Sequence, residues 1–288
     1  MRIPGVRFFP PLLLFLCATT AIVASSNVVD LKGRLIAVEA ATAITTEGTT
    51  VSVLKIRQNA KDGSPSEEIV PETADAQADL APQALMDPVT GDLVLIWSRF
   101  DGRHMTLAAT RRDPSGAWSP LTYLDTGKGE PAGPEVALDD ASRLHVLWKV
   151  TPVKTAPELR HRAFDLGTFQ PIGDVVDPFA EKPAATKGTR AEKTGKGAGT
   201  AVGQPAREAG ASPGLTVDEG RKGERFSAYG VESGCDAAVV FRVSGKRLEV
   251  ASIFEGKWQR GDVAIGGGGD PATVRGLVAD IARRFCQR

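Results

Sequence analysis

The sequence predicts a mainly β protein that repeats a unit of about 50 residues and ends in a single helix. Regularly spaced aromatic residues mark the repeat, and a change from strand to helical periodicity marks the C-terminus. A long segment without aromatic residues, 180–222, interrupts the repeat and predicts a disordered insertion.

The aromatic residues define three clear units, at 82–124, 134–176 and 227–265. Each unit has an aromatic residue at the end of an apolar strand and another after a later turn: Trp97 and Trp118, Trp148 and Phe169, and Phe241 and Trp258. The two are 21 residues apart in the first and second units and 17 apart in the third. The strand aromatics follow one another after 51 residues, and after 50 once the 43 residues of 180–222 are left out.

The apolar runs that carry these aromatics are apolar on both faces. Leu93, Leu95 and Trp97 alternate with Val94 and Ile96, which predicts a strand buried on two sides. Turn sequences at 87–92, 113–116 and 139–142 separate neighbouring strands. A segment at 33–70 has two similar strands without the tryptophans and predicts a fourth, degenerate unit. Units of this size with three or four strands are typical of propeller blades, so propeller-like repeats are the predicted architecture.

The first unit also contains Asp113 followed five residues later by Trp118, as in an Asp-box. The pattern over roughly 80–176 and 226–266 resembles sialidase-like (Asp-box) β-propellers, although Arg111, Ser115 and Ala117 depart from the motif. The resemblance implies a propeller, and such propellers usually close with six blades. With three or four units, the chain could close with four blades, complete itself by oligomerising, or form a β-sandwich with repeat-like hairpins.

The N-terminus predicts a secretory signal peptide over residues 1–25. Arg2 and Arg7 precede an apolar stretch at 12–24, and small residues follow at 24–26, where we expect cleavage. An uncleaved anchor over 8–24 is the alternative, at the short limit for a membrane span. After cleavage, we expect no membrane span and a periplasmic or secreted protein.

Export favours a disulfide between the two cysteines that remain after cleavage, Cys235 and Cys286. Such a bridge would contribute on the order of 3–4 kcal/mol. Two free buried thiols are the alternative.

Segment boundaries follow from these patterns. The β-repeat domain is predicted at 26–179, the disordered linker at 180–222, the last β unit at 223–266 and the C-terminal helix at 267–288. Asp270 is the predicted N-cap of that helix. Its apolar stripe consists of Val274, Leu277, Val278, Ile281 and Phe285. The linker has a local charge of +4 at 182–196 and would either tether the protein to the envelope or simply be solvated.

The net charge and the absence of known motifs argue against several classes of function. The formal net charge is zero, so no global field favours nucleic acid. The histidines, His104, His145 and His161, lack metal-ligand spacing, with His104 and His161 expected near turns, and no cofactor motif occurs. The tyrosine that a sialidase needs could only be Tyr123 or Tyr229, and no catalytic residue is assigned.

A group of basic residues near strand ends could line an anion-binding face: Arg99, Arg111, Arg112, Arg160 and Arg162. Solvated strand edges are the alternative. The expected function is a non-catalytic, propeller-like binding or interaction module of the cell envelope, whose partner is an unidentified protein or glycan. A sialidase-like glycan-processing enzyme and an envelope assembly factor tethered by the cationic linker are the alternatives.

Overall fold

Four antiparallel sheets and one helix make up the computed structural model. It describes residues 25–44, 47–59, 63–152, 157–180, 216–217, 228–234, 237–244, 247–254, 257–265 and 271–285. Each sheet follows the chain strand by strand, without crossovers. The predicted mainly β fold with propeller-like repeats and a C-terminal helix is therefore confirmed.

Sheet 1 is the predicted N-terminal unit. Its strands are β1 (Ser25–Val29), β2 (Leu35–Ile44), β3 (Thr50–Asn59) and β4 (Pro65–Ile69). The unit thus has four strands instead of the two predicted, and it begins before residue 33. The tight turn at Asp30, whose carboxylate accepts the backbone N–H of Arg34 at 2.8 Å, pairs β1 with β2. The predicted signal peptide, 1–25, lies outside the described residues apart from Ser25.

Sheets 2 and 3 are the two units with tryptophans. Sheet 2 contains β5 (Ala78–Met86), β6 (Leu93–Phe100), β7 (Met105–Arg112) and β8 (Thr122–Tyr123). Sheet 3 contains β9 (Pro131–Leu138), β10 (Arg143–Val150), β11 (Glu158–Asp165) and β12 (Pro171–Val176). Trp97 and Trp148 occupy the same place in the second strand of their sheets, as the spacing predicted.

Sheet 4 has five strands. They are β13 (Thr216–Val217), β14 (Ala228–Gly234), β15 (Ala237–Ser244), β16 (Arg247–Phe254) and β17 (Lys257–Ala264). β13 pairs with β14 and comes from within the predicted linker 180–222. Of that segment only Ala180, Thr216 and Val217 are described, so the linker boundaries stay a prediction.

The repeat extends to details of backbone conformation. Ala81 and Gly133 both have positive φ, 48° and 57°, and each lies at a register shift between the first two strands of its sheet. Asp87 and Asp139 begin the following turns, six residues later in both sheets. These turns join the first strand of each sheet to the second. We call the strand ends that they connect the first-turn end of the sheets, and the other strand ends the opposite end.

The sheets stack face to face. Trp97 of sheet 2 packs with Val38 and Ile56 of sheet 1, whereas Ile96 on the other face packs with Trp148 of sheet 3. Sheet 3 in turn contacts sheet 4 through a cluster that includes Leu147, Leu159, Tyr229 and Val240. The two-sided burial predicted for β6 is thus confirmed, because each inner sheet has a neighbour on both faces.

Helix α1 (Pro271–Phe285) covers the outer face of sheet 4. Val274 and Val278 are buried there, while Leu277 and Ile281 pack at the margin of the same cluster. Among the described residues, no hydrophobic cluster joins sheet 4 to sheet 1, so closure into a ring stays a prediction. The predicted cap, Asp270, lies outside the described residues.

Packing in sheet 4 leaves no room for a side chain at Gly230. A Cβ at this position would lie 2.6 Å from Cζ of Phe241, which is itself buried. We expect Gly230→Ala to lower the free energy of unfolding by about 1–3 kcal/mol, because the ring must shift in a packed interface. Urea denaturation measures this change.

Gly261→Ala is the matched control in the same sheet. A Cβ there has no atom within 4 Å, so Gly261→Ala should be close to neutral. Equal losses for the two variants would show that the sheet tolerates neither substitution and that the Phe241 contact is not the cause.

Within the part of the chain that the structure describes, no helix has the length and hydropathy needed to cross a membrane.

Candidate functional site

An arginine buried at the opposite end of sheet 2 organises the candidate site. Arg99 follows the apolar run of β6 near the end of that strand, and its side chain is only 2% exposed. Its Nε donates to Oε1 of Gln77 at 2.8 Å, and Nη1 donates to the carbonyl oxygen of Glu72 at 2.8 Å. Nη2 donates to the carboxylate of Asp75. Three groups from the segment before β5 are therefore held by one side chain of β6.

A second carboxylate, Asp79, lies beneath this arginine. It is fully buried, and Nη1 of Arg99 lies 3.8 Å from its Oδ1. The same oxygen accepts the indole N–H of Trp97 at 2.6 Å, whereas Oδ2 has no described hydrogen-bond partner. Burial raises the pKa of Asp79 to about 6, against the lowering effects of the Arg99 charge and the Trp97 hydrogen bond. The carboxyl therefore changes charge just below neutral pH. Together with Arg99, Glu72, Asp75, Gln77 and Trp97, it forms what we call the Arg99 cluster.

Glu72 has an uncommon backbone conformation within this cluster. Its φ is 62°, a region that residues with a Cβ rarely adopt. The bond from Arg99 to its carbonyl and the buried Thr73, whose hydroxyl donates to the carbonyl of Val70 at 2.8 Å, hold the turn in place. Backbone strain of this kind occurs most often at functional sites.

An open cleft lies on top of the cluster. Its volume is about 390 Å³, and we call it the Tyr123 cleft; it is lined by Glu72, Ala74, Asp75, Arg99, Leu121 and Tyr123. Tyr123 is 52% exposed although it belongs to β8, and the Asp75 side chain is 42% exposed. The cleft thus combines an accessible aromatic ring with carboxylate acceptors. Such a lining suits a ligand that has both apolar C–H faces and hydrogen-bond donors.

The other arginines proposed from sequence do not gather around Arg99. Arg112 pairs in register with Leu93, at the first-turn end, whereas Arg99 pairs with Thr106 at the opposite end. Each of these four guanidinium groups also has a carboxylate within 4 Å: Arg111 with Asp92, Arg112 with Glu68, Arg160 with Glu158, and Arg162 with Asp125. Only Arg99 lines the cleft, and a shared anion-binding face stays a prediction.

Other sequence hypotheses are placed as follows. Tyr229 is buried, and its hydroxyl donates to the carbonyl oxygen of Gly133 at 2.7 Å, so it packs sheet 4 onto sheet 3. Cys235 and Cys286 both lie outside the described residues, and their disulfide stays a prediction. His161 lies inside β11, not near a turn as expected, and contacts His145.

The Asp-box position is a structural turn. Oδ1 of Asp113 accepts the backbone N–H of Ala117 at 2.9 Å and the hydroxyl of Ser115 at 2.6 Å, and these hydrogen bonds lower its pKa. Sheet 3 also has a turn held by an aspartate, which sequence reasoning missed: Oδ1 of Asp165 accepts the backbone N–H of Thr168 at 2.8 Å, three residues later instead of four. The common signal was an aspartate at the end of the third strand in these two units.

Sequence reasoning also missed the partners of Arg99. Glu72, Asp75 and Asp79 stand in a polar stretch between two units, without a motif. The available signal was an arginine directly after an apolar strand, preceded by several carboxylates in the connection from the previous unit.

Comparisons with known proteins show similarity of fold. No protein-family model and no curated protein matches the sequence. Among solved structures, the α-L-arabinanase of Penicillium chrysogenum complexed with arabinobiose is 15% identical, with a TM-score of 0.42 over 80% of this chain and 59% of its own. The Trypanosoma rangeli sialidase in complex with the inhibitor DANA is 9% identical, with a TM-score of 0.47 over 83% of this chain and 38% of its own.

The α-L-arabinofuranosidase of Fusarium graminearum with arabinobiose is 12% identical, with a TM-score of 0.43 over 84% of this chain and 65% of its own. This chain therefore spans between 38% and 65% of the length of these three structures. The resemblance to sialidase-like propeller repeats is confirmed as a likeness of fold, and function has to be argued from the site.

Proposed function

We propose that this chain is an extracytoplasmic binding module of the cell envelope that holds a glycan in the Tyr123 cleft. The observation that carries the proposal is the exposed Tyr123 ring, which lines one cleft together with Glu72 and Asp75. An aromatic ring can pack against the C–H face of a sugar, while carboxylates accept hydrogen bonds from its hydroxyl groups.

The Arg99 cluster supports binding by preorganisation. The guanidinium fixes the backbone at Glu72 and the side chain of Asp75 before any ligand arrives. A site whose groups are already held loses less conformational entropy on binding. In this proposal Arg99 positions the site, since each of its three nitrogens donates to one of Gln77, Glu72 and Asp75.

A glycan array with the purified chain, followed by calorimetry on the best ligand, tests the proposal. We expect Tyr123→Ala to weaken binding about fivefold or more, because a sugar–aromatic contact contributes roughly 1 kcal/mol or more. The free energy of unfolding should change little, since the ring is 52% exposed.

Ile172→Ala is the control, because Ile172 is an exposed apolar residue, 42% accessible, on β12 of sheet 3. It should bind as the wild type does. No glycan binding at all, or equal binding by the wild type and Tyr123→Ala, would refute the cleft as the site.

Asp79 favours a second candidate, a glycan-processing enzyme. Glycoside hydrolysis commonly uses one protonated and one ionised carboxyl. Asp79, with a pKa of about 6, and Asp75 both lie against the Arg99 guanidinium, so one side chain brings two carboxyl groups together. Arabinoside and sialoside reporters test this reading: hydrolysis that Asp79→Asn abolishes would support it, and binding without hydrolysis would leave the binding module.

A further inference from the structure

Two histidines lie buried between sheet 3 and sheet 4. His145 on β10 and His161 on β11 are 3% and 2% exposed. In register, His145 pairs with Ala163 and His161 with Leu147, so the two rings occupy diagonal positions on one face. They are stacked, with centroids 5.4 Å apart and an interplanar angle of 17°. Leu147 shares their face and packs against sheet 4.

Hydrogen bonds define which ring nitrogens carry protons. Nε2 of His145 lies 3.0 Å from Oδ2 of Asp139, and its Nδ1 lies 3.2 Å from Nε2 of His161. Burial acts to raise the pKa of Asp139, but hydrogen bonds from His145 and Arg143 outweigh burial and lower this pKa to about 2. The ionised carboxylate can only accept, so His145 donates from Nε2. Its Nδ1 then accepts from Nε2–H of His161, which orders one chain from His161 to Asp139.

Charged groups lie on both of the facing sheets, and Glu135 of sheet 3, which is 2% exposed, pairs in register with Leu147. Asp139 begins the turn before β10, and Nε of Arg143 donates to the same carboxylate at 2.6 Å. From sheet 4, Trp258 meets His161 edge-on, with ring centroids 5.3 Å apart. On the same face of sheet 4, Ala238 and Ile253 are apolar, and the hydroxyl of Tyr229 is bound to Gly133. Farther along that face, Arg260 donates to the carbonyl oxygen of Pro178 at 2.8 Å, and Arg242 donates to Glu249 at 2.7 Å.

We propose that the His145–His161 pair is a proton-sensitive latch that holds sheet 4 on sheet 3 at neutral pH and releases it on acidification. Because Nε2 of His161 and both ring nitrogens of His145 are engaged in this chain, an added proton goes to Nδ1 of His161 and leaves a cation in a site that is only 2% exposed. A buried charge is strongly unfavourable, and this ring reaches water only if the interface opens.

The direction of the effect follows from linkage. Burial, with His145 beside it, lowers the pKa of His161 well below its usual range. An opened interface returns the ring to water and to its usual pKa of about 6.5. The open state therefore binds more protons than the closed state at mildly acidic pH. Stability of the interface is full above about pH 6.5 and falls as the pH falls below that value.

Hydrogen exchange of the full chain, corrected for the intrinsic rate at each pH, tests the latch. Between pH 7.5 and 5, we expect amides of β14–β17 in the wild type to lose at least tenfold in protection relative to the same amides in His161→Gln. Glutamine keeps a side-chain donor toward His145 but does not titrate. His104→Gln is the matched control, because the His104 side chain is 72% exposed, and it should behave as the wild type does.

Equal pH dependence of sheet 4 in the wild type and His161→Gln would overturn the proposal. Histidine NMR of the wild type gives a second readout that needs no variant. His161 should gain its proton over the same pH range in which β14–β17 lose protection. Protonation of His161 while that protection stays unchanged would equally overturn the proposal. The latch does not depend on the Tyr123 cleft, so glycan binding and interface opening can fail separately.

Discussion

Replacing Asp79 with alanine is expected to lower the free energy of unfolding at pH 7.5 by about 3 kcal/mol. The substitution removes the acceptor of the Trp97 indole N–H, which is 2.6 Å away in a fully buried site. It also removes one of the two carboxylates that face the buried Arg99. Urea denaturation followed by tryptophan fluorescence measures the loss.

Asp79→Asn is the matched variant. The amide oxygen can still accept from Trp97, so we expect a smaller loss than for alanine. Because burial raises the pKa of Asp79 to about 6, the folded wild type binds a proton that the unfolded chain releases between about pH 6 and 4. Relative to Asp79→Asn, the wild type should therefore gain about 1 kcal/mol between pH 7.5 and 5.

The two variants together can contradict this account. An alanine variant as stable as the wild type would mean that the unfavourable free energy of burying the Asp79 carboxylate equals the favourable free energy of its contacts with Trp97 and Arg99. A stability difference between wild type and Asp79→Asn that stays constant with pH would mean that the carboxyl keeps an ordinary pKa. The sign is opposite to that expected for His161, so the two groups can be told apart.

The second large effect concerns the helix that covers sheet 4. Val278 lies on the buried stripe of α1 and is 0% exposed among Val239, Phe241 and Val250. Val278→Asp places a carboxylate in this apolar cluster, and we expect a loss of more than about 3 kcal/mol, because a buried charge without a partner is strongly unfavourable. Thermal unfolding and binding of a hydrophobic dye measure the loss of stability and the exposure of sheet 4.

Gly276→Asp separates the buried face of the helix from the helix itself. Gly276 is exposed on the same helix, and a Cβ there has no atom within 4 Å. It should leave the stability nearly unchanged and bind no dye. If Val278→Asp behaved like Gly276→Asp, α1 would not be a required cover of sheet 4.

Spacing along the chain was enough to predict the repeat. Trp97 and Trp148 predicted equivalent strands because a residue buried between two sheets must recur once per unit. The two-sided apolar pattern of β6 and the helical stripe at Val274 and Val278 were predicted for the same reason, since each period reports how many faces of an element are buried. The sequence evidence for the fourth unit was weaker, because β2 of sheet 1 has no tryptophan to mark its place in the repeat.

Side-chain contacts across the fold could not be predicted in this way. Trp97 donates to Asp79, whereas Trp148, its equivalent in sheet 3, has an indole N–H without a described partner. Pro131 stands where Asp79 stands in sheet 2, because both lie directly opposite the residue two positions after the tryptophan. Knowing this requires the register of two paired strands.

The repeat, the sheet-forming strands and the helix could be predicted from the order of residues, because local periodicity encodes which faces of each element are buried. Only the folded chain brings Arg99 to Glu72, Asp75 and Asp79, and His145 to His161 beside Trp258. These groups are separated along the chain, and strand register and sheet stacking bring them together. Burial then sets their charges, because the same carboxyl or imidazole has a different pKa once its neighbours replace water.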